Sequence, residues 1–345
     1  MSAVSLHGVP ARYEAGLHDL GDGLHAWLQP NGELGESNAG LVVGDGESLL
    51  IDTLWDLPLT GKMLAAVAPI TASAPIRTLV NTHADGDHCW GNQLLDGVEI
   101  IATAAAREDM TREHPRTLRL LRAGGGAVEA LARRAPWLPG AGLIAFAAQL
   151  APYDFSGITV TLPTRTFEGS LGLDVGGRKV ELIEVGPAHT PGDLIVHVAD
   201  ARVVFAADVL FIGGTPLMWV GPVERWLAAL DRITALGPRV VVPGHGPVSD
   251  LDGVRAVRAY WEFVAPAVRE RVAAGMQPEA AAREIVRSTA FRATEFAGWD
   301  GPERIVINAA AITRTERGER GRMPDRRRTA LLAAAGQLGL ELRGA

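Results

Sequence analysis

The stretch Thr82-His83-Ala84-Asp85-Gly86-Asp87-His88-Cys89-Trp90-Gly91-Asn92 governs how the rest of the chain is read. It places four potential metal ligands, His83, Asp85, Asp87 and His88, within six residues, directly after the short apolar run Arg77 to Val80. Imidazole nitrogen and carboxylate oxygen suit zinc, iron and manganese alike. A straight strand would alternate these side chains between two faces and a helix would scatter them, whereas a glycine-containing turn lets them converge. A solvated polar turn has the same composition, so the rest of the chain must decide. His189 lies in Gly186-Pro187-Ala188-His189-Thr190-Pro191-Gly192-Asp193, just after an apolar strand. Asp208 ends the apolar run Val203 to Ala207, and His245 lies in Val242-Pro243-Gly244-His245-Gly246. Each sits at the mouth of an expected strand, where connecting segments carry function. In this order and spacing, coincidence is a poor explanation.

The order resembles the metallo-β-lactamase superfamily, whose signature is His-x-His-x-Asp-His followed by a distant His, an Asp or Cys, and a final His. The resemblance runs from Leu24 to Pro247, about two thirds of the chain. It implies an α/β fold, a four-layer αββα sandwich with its site at the sheet edge. It also implies two metals, zinc first among them. His83, Asp85 and His189 would hold the first, Asp87, His88 and His245 the second, with Asp208 bridging. Asp52, closing Leu50-Ile51-Asp52-Thr53, matches the family aspartate that steadies the ligand loop from behind; alone it reads equally as a strand-end turn residue. The chain departs from the pattern at Asp85, where the family has its second histidine. A hard, charged oxygen ligand there makes iron and manganese more competitive with zinc. An Asp85 that does not reach would leave a one-metal enzyme.

Bulk properties narrow the classes. The 345 residues are 47% hydrophobic and 21% charged, enough for a substantial core rather than disorder. A net charge of -7 argues against a general polyanion binder. The opening residues show no basic and apolar leader pattern, and the most apolar stretch, Ala141 to Ala151, is too short to span a bilayer. A cytoplasmic protein acting on a small molecule, with no nucleic-acid or membrane partner, is the expectation; the oligomeric state stays open. The single cysteine, Cys89, excludes an intramolecular disulfide and a multi-cysteine zinc site, and reads as a buried small residue rather than a nucleophile.

Strands are expected at 25–28, 40–43, 48–52, 77–80, 98–102, 164–167, 171–175, 179–185, 194–198, 202–206 and 239–242, with helices at 59–67 and 224–236. Between about 104 and 153 the composition turns to Ala, Arg and Leu, broken by Gly124-Gly125-Gly126, Pro136 and Pro139. This reads as a helical insertion. Residues 1–250 are therefore expected to form the metallo-β-lactamase-like domain and 251–345 a helical C-terminal extension packed on it.

The expected chemistry is attack of a metal-bound hydroxide on a carbonyl ester, thioester or lactone, with Asp87 orienting the nucleophile and returning a proton to the leaving group. No Gly-x-Ser-x-Gly offers a competing nucleophile. Asp208 in place of cysteine resembles the glyoxalase II, lactonase and thioesterase branches. Trp137, Leu143 to Phe146 and Leu217-Met218-Trp219 either wall an apolar pocket for a bulky substrate or pack on the scaffold alone. The motif variant also resembles superfamily members of aromatic polyketide pathways, which leaves a cyclase or thioesterase as one alternative and a non-catalytic metal-binding protein as another. The run Arg314 to Arg328, with seven arginines and three interleaved acids, reads as a solvated face.

Overall fold

A computed structural model describes residues 4–112, 114–125, 134–135, 137–138 and 140–343. Residues 126–133, Pro136 and Pro139 of the expected insertion lie outside the described residues.

Two sheets face each other. The first runs in the order β1 (Gly16–Gly21), β2 (Leu24–Leu28), β3 (Ala39–Val43), β4 (Ser48–Ile51), β5 (Ile76–Val80), β6 (Glu99–Thr103), β7 (Arg165–Phe167). It is antiparallel from β1 to β4 and parallel from β4 to β7. The second holds β8 (Ser170–Val175), β9 (Arg178–Glu184), β10 (Leu194–Val198), β11 (Val203–Phe211) and β12 (Val240–His245), antiparallel except for the β11–β12 pair. Alternate residues of each strand meet between the sheets: Leu24, Val42, Leu49, Ile51 and Val80 from one, Leu182, Val196, Val203, Phe205 and Val242 from the other.

Helices cover both outer faces. Helix α1 (Leu57–Thr71) starts where Asp56 accepts the Leu59 N–H, and it lays Met63 and Val67 on Leu41, Leu50 and Leu79. Beyond the second sheet, α6 (Val223–Leu236) and α7 (Leu251–Ala273) bury Trp226, Leu230, Ile233 and Trp261 against Ile195, Val204 and Ala206. The result is an αββα sandwich in the α/β class, extended by a helical C-terminal region. Strand β1 is not expected from the sequence: GLHDLG lacks apolar alternation, because an edge strand half open to water needs none. No helix among the described residues is long and apolar enough to cross a membrane.

Between α1 and α6 the chain forms α2 (Gly86–Cys89), α3 (Ala104–Met110), α4 (Pro115–Gly125) and α5 (Ala141–Ala148). After α7 come α8 (Pro278–Arg287), α9 (Thr289–Arg292), α10 (Ile305–Glu316) and α11 (Asp325–Arg343). Insertion and C-terminal region meet where α5 crosses α11 at a pair of glycines. A Cβ on Gly336 would stand 2.1 Å from the Gly142 carbonyl oxygen, and one on Gly142 would stand 2.1 Å from that of Ala333. Replacing Gly336 with leucine should force the helices apart and cost about 1–3 kcal/mol, the usual penalty of overpacking. Thermal unfolding beside Gly172→Ala, where a Cβ meets nothing within 4 Å, checks this; equal midpoints would show that the two helices do not depend on close approach.

Candidate metal centre

The fold brings the seven expected ligand residues to one end of the two sheets. β5 delivers the 82–92 loop, which closes into the single helical turn of α2 rather than an irregular turn, with the His88 N–H donating to the Asp85 carbonyl. β10 is preceded by the His189 loop, and β12 ends on His245. Asp208 lies inside β11, not at its end: the register with β12 shifts between Phe205 and Ala207, and Ala207 adopts a φ of 45°. This irregularity re-aims the strand, as bulges beside active sites do, and turns the Asp208 carboxylate inward. Gly244 makes room for it, since a Cβ there would lie 1.9 Å from Asp208 Oδ1.

Around Asp208 four imidazoles converge. Its Oδ2 lies 3.9 Å from His83 Nε2, 3.4 Å from His189 Nε2 and 3.5 Å from His245 Nε2, while Oδ1 lies 3.1 Å from His88 Nε2. Asp87 Oδ2 stands 3.4 Å from His245 Nε2, and Asp85 Oδ2 stands 3.1 Å from His189 Nε2. Donor atoms of His83, His189 and Asp208 fall within 4.8 Å of one another, as do those of Asp87, His88 and His245. The second grouping has the expected membership, while the first holds Asp208 where the expected set has Asp85. Asp85 touches the first group only through His189.

The donor set fits divalent metals. His83 Nε2, His88 Nε2 and Asp208 Oδ1 are buried and meet no partner at hydrogen-bond geometry, three such atoms at one point that a bound metal would satisfy. The opposite ring nitrogens are held from behind. His88 Nδ1 lies 2.9 Å from Asp52 Oδ2, His189 Nδ1 lies 2.5 Å from the Leu217 carbonyl, and Thr82 Oγ1 lies 3.0 Å from His83 Nδ1. Each arrangement points an Nε2 lone pair at the centre. Asp52, at a φ of 62°, also accepts from the Thr82 N–H and Oγ1. Asn81 and Asn92 bond one another and brace the His88 carbonyl, and Ser37 Oγ donates to that of Asp87.

The electrostatics agree. Burial, then the neighbouring His88, pushes His83 down to about 3, so its ring stays neutral and able to ligate. Burial also opposes charge on His189, but Asp208 and Asp85 outweigh it and raise that ring to about 9. Burial works against the Asp208 carboxylate, yet His245, His88 and His189 hold it well below the usual range. The buried carboxylates are thus held ionised by the imidazoles around them.

One cavity of about 240 Å³ opens on this centre. Phe146, Leu217 and Trp219 line it, as expected. Trp137 does not: it is 77% exposed, because its loop turns it outward, and Met218 is fully buried in the core beyond. Sequence reasoning missed Leu34, Trp55 and Trp90 on the apolar wall and Arg304 on the polar one. Trp90 sits within the opening motif and could have been noticed; nothing local marks Arg304. The arginine run is also corrected, since Arg322 and Arg328 turn into the cavity rather than facing solvent. Cys89 is buried at 2% exposure, its thiol against the Ala84 carbonyl.

The metallo-beta-lactamase superfamily profile matches residues 32–245, more than half of the chain. The chain belongs to the metallo-β-lactamase superfamily. With that membership comes a class of hydrolytic enzymes on a metal-binding fold. A linear primary-alkylsulfatase of a Pseudomonas species is 28% identical over 225 residues, 61% of this chain and 41% of that protein. The alpha subunit of a Nocardioides 2,4-dinitroanisole O-demethylase is 25% identical over 210 residues, 59% of this chain and 51% of that one. The chain thus matches about half or less of the length of these relatives. Among solved structures, a stereoselective inverting sec-alkylsulfatase from Pseudomonas superposes with a TM-score of 0.61 at 18% identity, over 87% of this chain and 50% of that one. A metallo-beta-lactamase from Pontibacter korlensis gives 0.54 at 15%, over 72% and 100%. At these identities the solved structures speak for the fold.

Two expectations follow for this superfamily member. Asp52→Asn keeps an acceptor for Thr82 but offers His88 Nδ1–H none in the required place, so metal affinity should fall about 10–100-fold. Competition against a chromophoric chelator measures it, and unchanged affinity would remove Asp52 from the centre. Elemental analysis of protein purified without added metal should find about two ions per chain, as paired donor groups require. About one, rising in Asp85→His, would mean that Asp85 leaves the first position weak.

Proposed function

We propose that the protein is a metal-dependent hydrolase of an ester, thioester or lactone carrying a bulky apolar group. The observation that carries this reading is the single cavity in which paired donor clusters face a wall of Leu34, Trp55, Trp90 and Phe146. The bound metals, held by His83, His189 and Asp208 and by Asp87, His88 and His245, with Asp85 beside His189, would supply Lewis acidity and a water ionised near neutral pH. The chain's residues do the rest. The apolar wall takes the substituent and excludes water from the reacting bond. Asp87, its side chain 15% exposed and 3.4 Å from His245, orients the attacking water and hands its proton towards the leaving group. Asp208, hemmed by four imidazoles, keeps its charge and fixes both donor groups in one frame.

A sulfate ester is a second reading of the bond, favoured by the likeness to the alkylsulfatase sequence and by Arg304 in the cavity wall. Cyclisation, the sequence-based alternative, gains no observation here.

Turnover should be measured on a panel of octyl esters, thioesters and lactones beside their ethyl counterparts. The octyl compounds should have the higher kcat/KM, and a chelator should abolish turnover until metal is restored. Asp87→Asn should lower kcat about 10²–10⁴-fold, the usual share of a positioned acid–base group. Turnover indifferent to chelator would overturn the proposal.

A further inference from the structure

Two arginines flank the metal centre in matching ways. Arg328 of α11 stacks on Trp219, its Cζ 4.4 Å from the ring, and the Trp219 backbone N–H donates to the His189 carbonyl. Arg304, at the head of α10, lies over Phe211 with its Cζ 5.7 Å from the ring, and Phe211 is stacked on His245 at 5.0 Å with the planes 3° apart. Each guanidinium thus lies on an aromatic residue joined to a histidine of one donor group, Phe211 through ring stacking and Trp219 through its backbone. Their partners differ. Arg328 has Asp85 at 3.9 Å. Arg304 Nη1 donates to the Thr215 carbonyl, and among the described residues no carboxylate lies within 4.0 Å of that guanidinium.

A guanidinium carries its charge at any physiological pH and offers five donors in a plane. Holding one partly buried in a cavity wall without an adjacent anion is costly. Burial indeed makes the charge on Arg304 harder to hold, and the acids that act on it, Glu303, Asp208, Asp87 and Glu33, do so from further away. Two of those, Asp208 and Asp87, belong to the donor groups. The counter-ion missing from this side chain is one that a ligand would bring.

We propose that Arg304 is a specificity-determining residue that receives an anionic group of the substrate, so that the preferred substrate is an amphiphile with its apolar part on the Trp55–Phe146 wall and its anion at Arg304. This rests on the hydrolase reading above for the fate of the substrate, though not for its binding. The shared chemistry is a flat or tetrahedral oxyanion that can take two parallel N–H bonds. It is supplied either by a sulfate ester at the reacting bond or by a carboxylate beside a carbonyl ester.

The test uses the metal-loaded full chain and ligands that cannot be hydrolysed. Octane-1-sulfonate and octan-1-ol are titrated calorimetrically into the wild type, Arg304→Gln and Arg304→Lys, with metal content and thermal unfolding checked for each. The wild type should bind the sulfonate about tenfold or more tighter than the alcohol, with an affinity that falls as salt rises. Arg304→Gln should lose that preference while binding octanol as before, and Arg304→Lys should recover part of it. Equal loss for both ligands would reduce Arg304 to a structural residue, and an unchanged preference would overturn the proposal outright. Turnover of octyl sulfate and of monooctyl succinate then separates the two sources. Hydrolysis of the first assigns the anion to the reacting sulfate, and hydrolysis of the second assigns it to a neighbouring carboxylate. Failure of both would defeat the hydrolase reading while leaving the binding result to stand or fall alone.

Discussion

The metal centre is organised around one buried carboxylate. Asp208 is 4% exposed and has four imidazole nitrogens within 3.9 Å. Nothing in the energetics of folding favours such an assembly. Each buried ionised group carries a desolvation cost of several kcal/mol, and hydrogen bonds among the group do not repay it. The chain accepts that cost because the sandwich around it is large. Strands β11 and β12 are almost wholly buried, and helices close both outer faces. The core stabilises the site rather than the reverse.

That constraint explains local irregularities that would otherwise look like defects. The left-handed φ of Ala207, the register shift in β11 and the bare Cα of Gly244 all serve to seat Asp208 between two strands. The left-handed Asp52 does for His88 what the Leu217 carbonyl does for His189: it fixes the ring from the far side. Strained positions of this kind cluster where geometry matters more than comfort. Strands β2 to β4 and the β8–β9 pair keep an unbroken register.

How much was legible in the sequence follows from how local each feature is. The 82–92 loop packs its donors within six residues, and His189, Asp208 and His245 each follow an apolar run of sequence, so their convergence could be read from the chain. The αββα sandwich itself was expected from the resemblance to the metallo-β-lactamase superfamily rather than from strand alternation. Edge strand β1 was not legible, because Gly16–Gly21 buries little and so carries no pattern. The cavity was half legible. Phe146, Leu217 and Trp219 point into it, but Trp137, equally apolar, faces water, and composition cannot tell a wall from a loop tip. Arg304 lies 59 residues beyond His245 on a different element. Only the packing of α10 and α11 over the sheet ends brings it in. The arginine run misled for a related reason: charge density reads as solvation unless the fold turns one face inward.

The departure at Asp85 also looks different in three dimensions. Taken alone, an aspartate where the family carries a histidine adds a negative charge to a site already holding Asp87 and Asp208, and should weaken it by repulsion. The chain answers that charge from outside the family's own span. Arg328 approaches Asp85 at 3.9 Å and is steadied by Trp219, while His189 takes the other carboxylate oxygen at 3.1 Å. His189 and Arg328 together hold Asp85 ionised against its burial. A neutral imidazole at this position would have no use for a guanidinium, and α11 would have no electrostatic reason to reach the metal loop. Aspartate and arginine are therefore best understood as one unit. The C-terminal helices supply the charge that makes the variant motif workable, which binds them to the site's chemistry as firmly as their apolar faces bind them to the core.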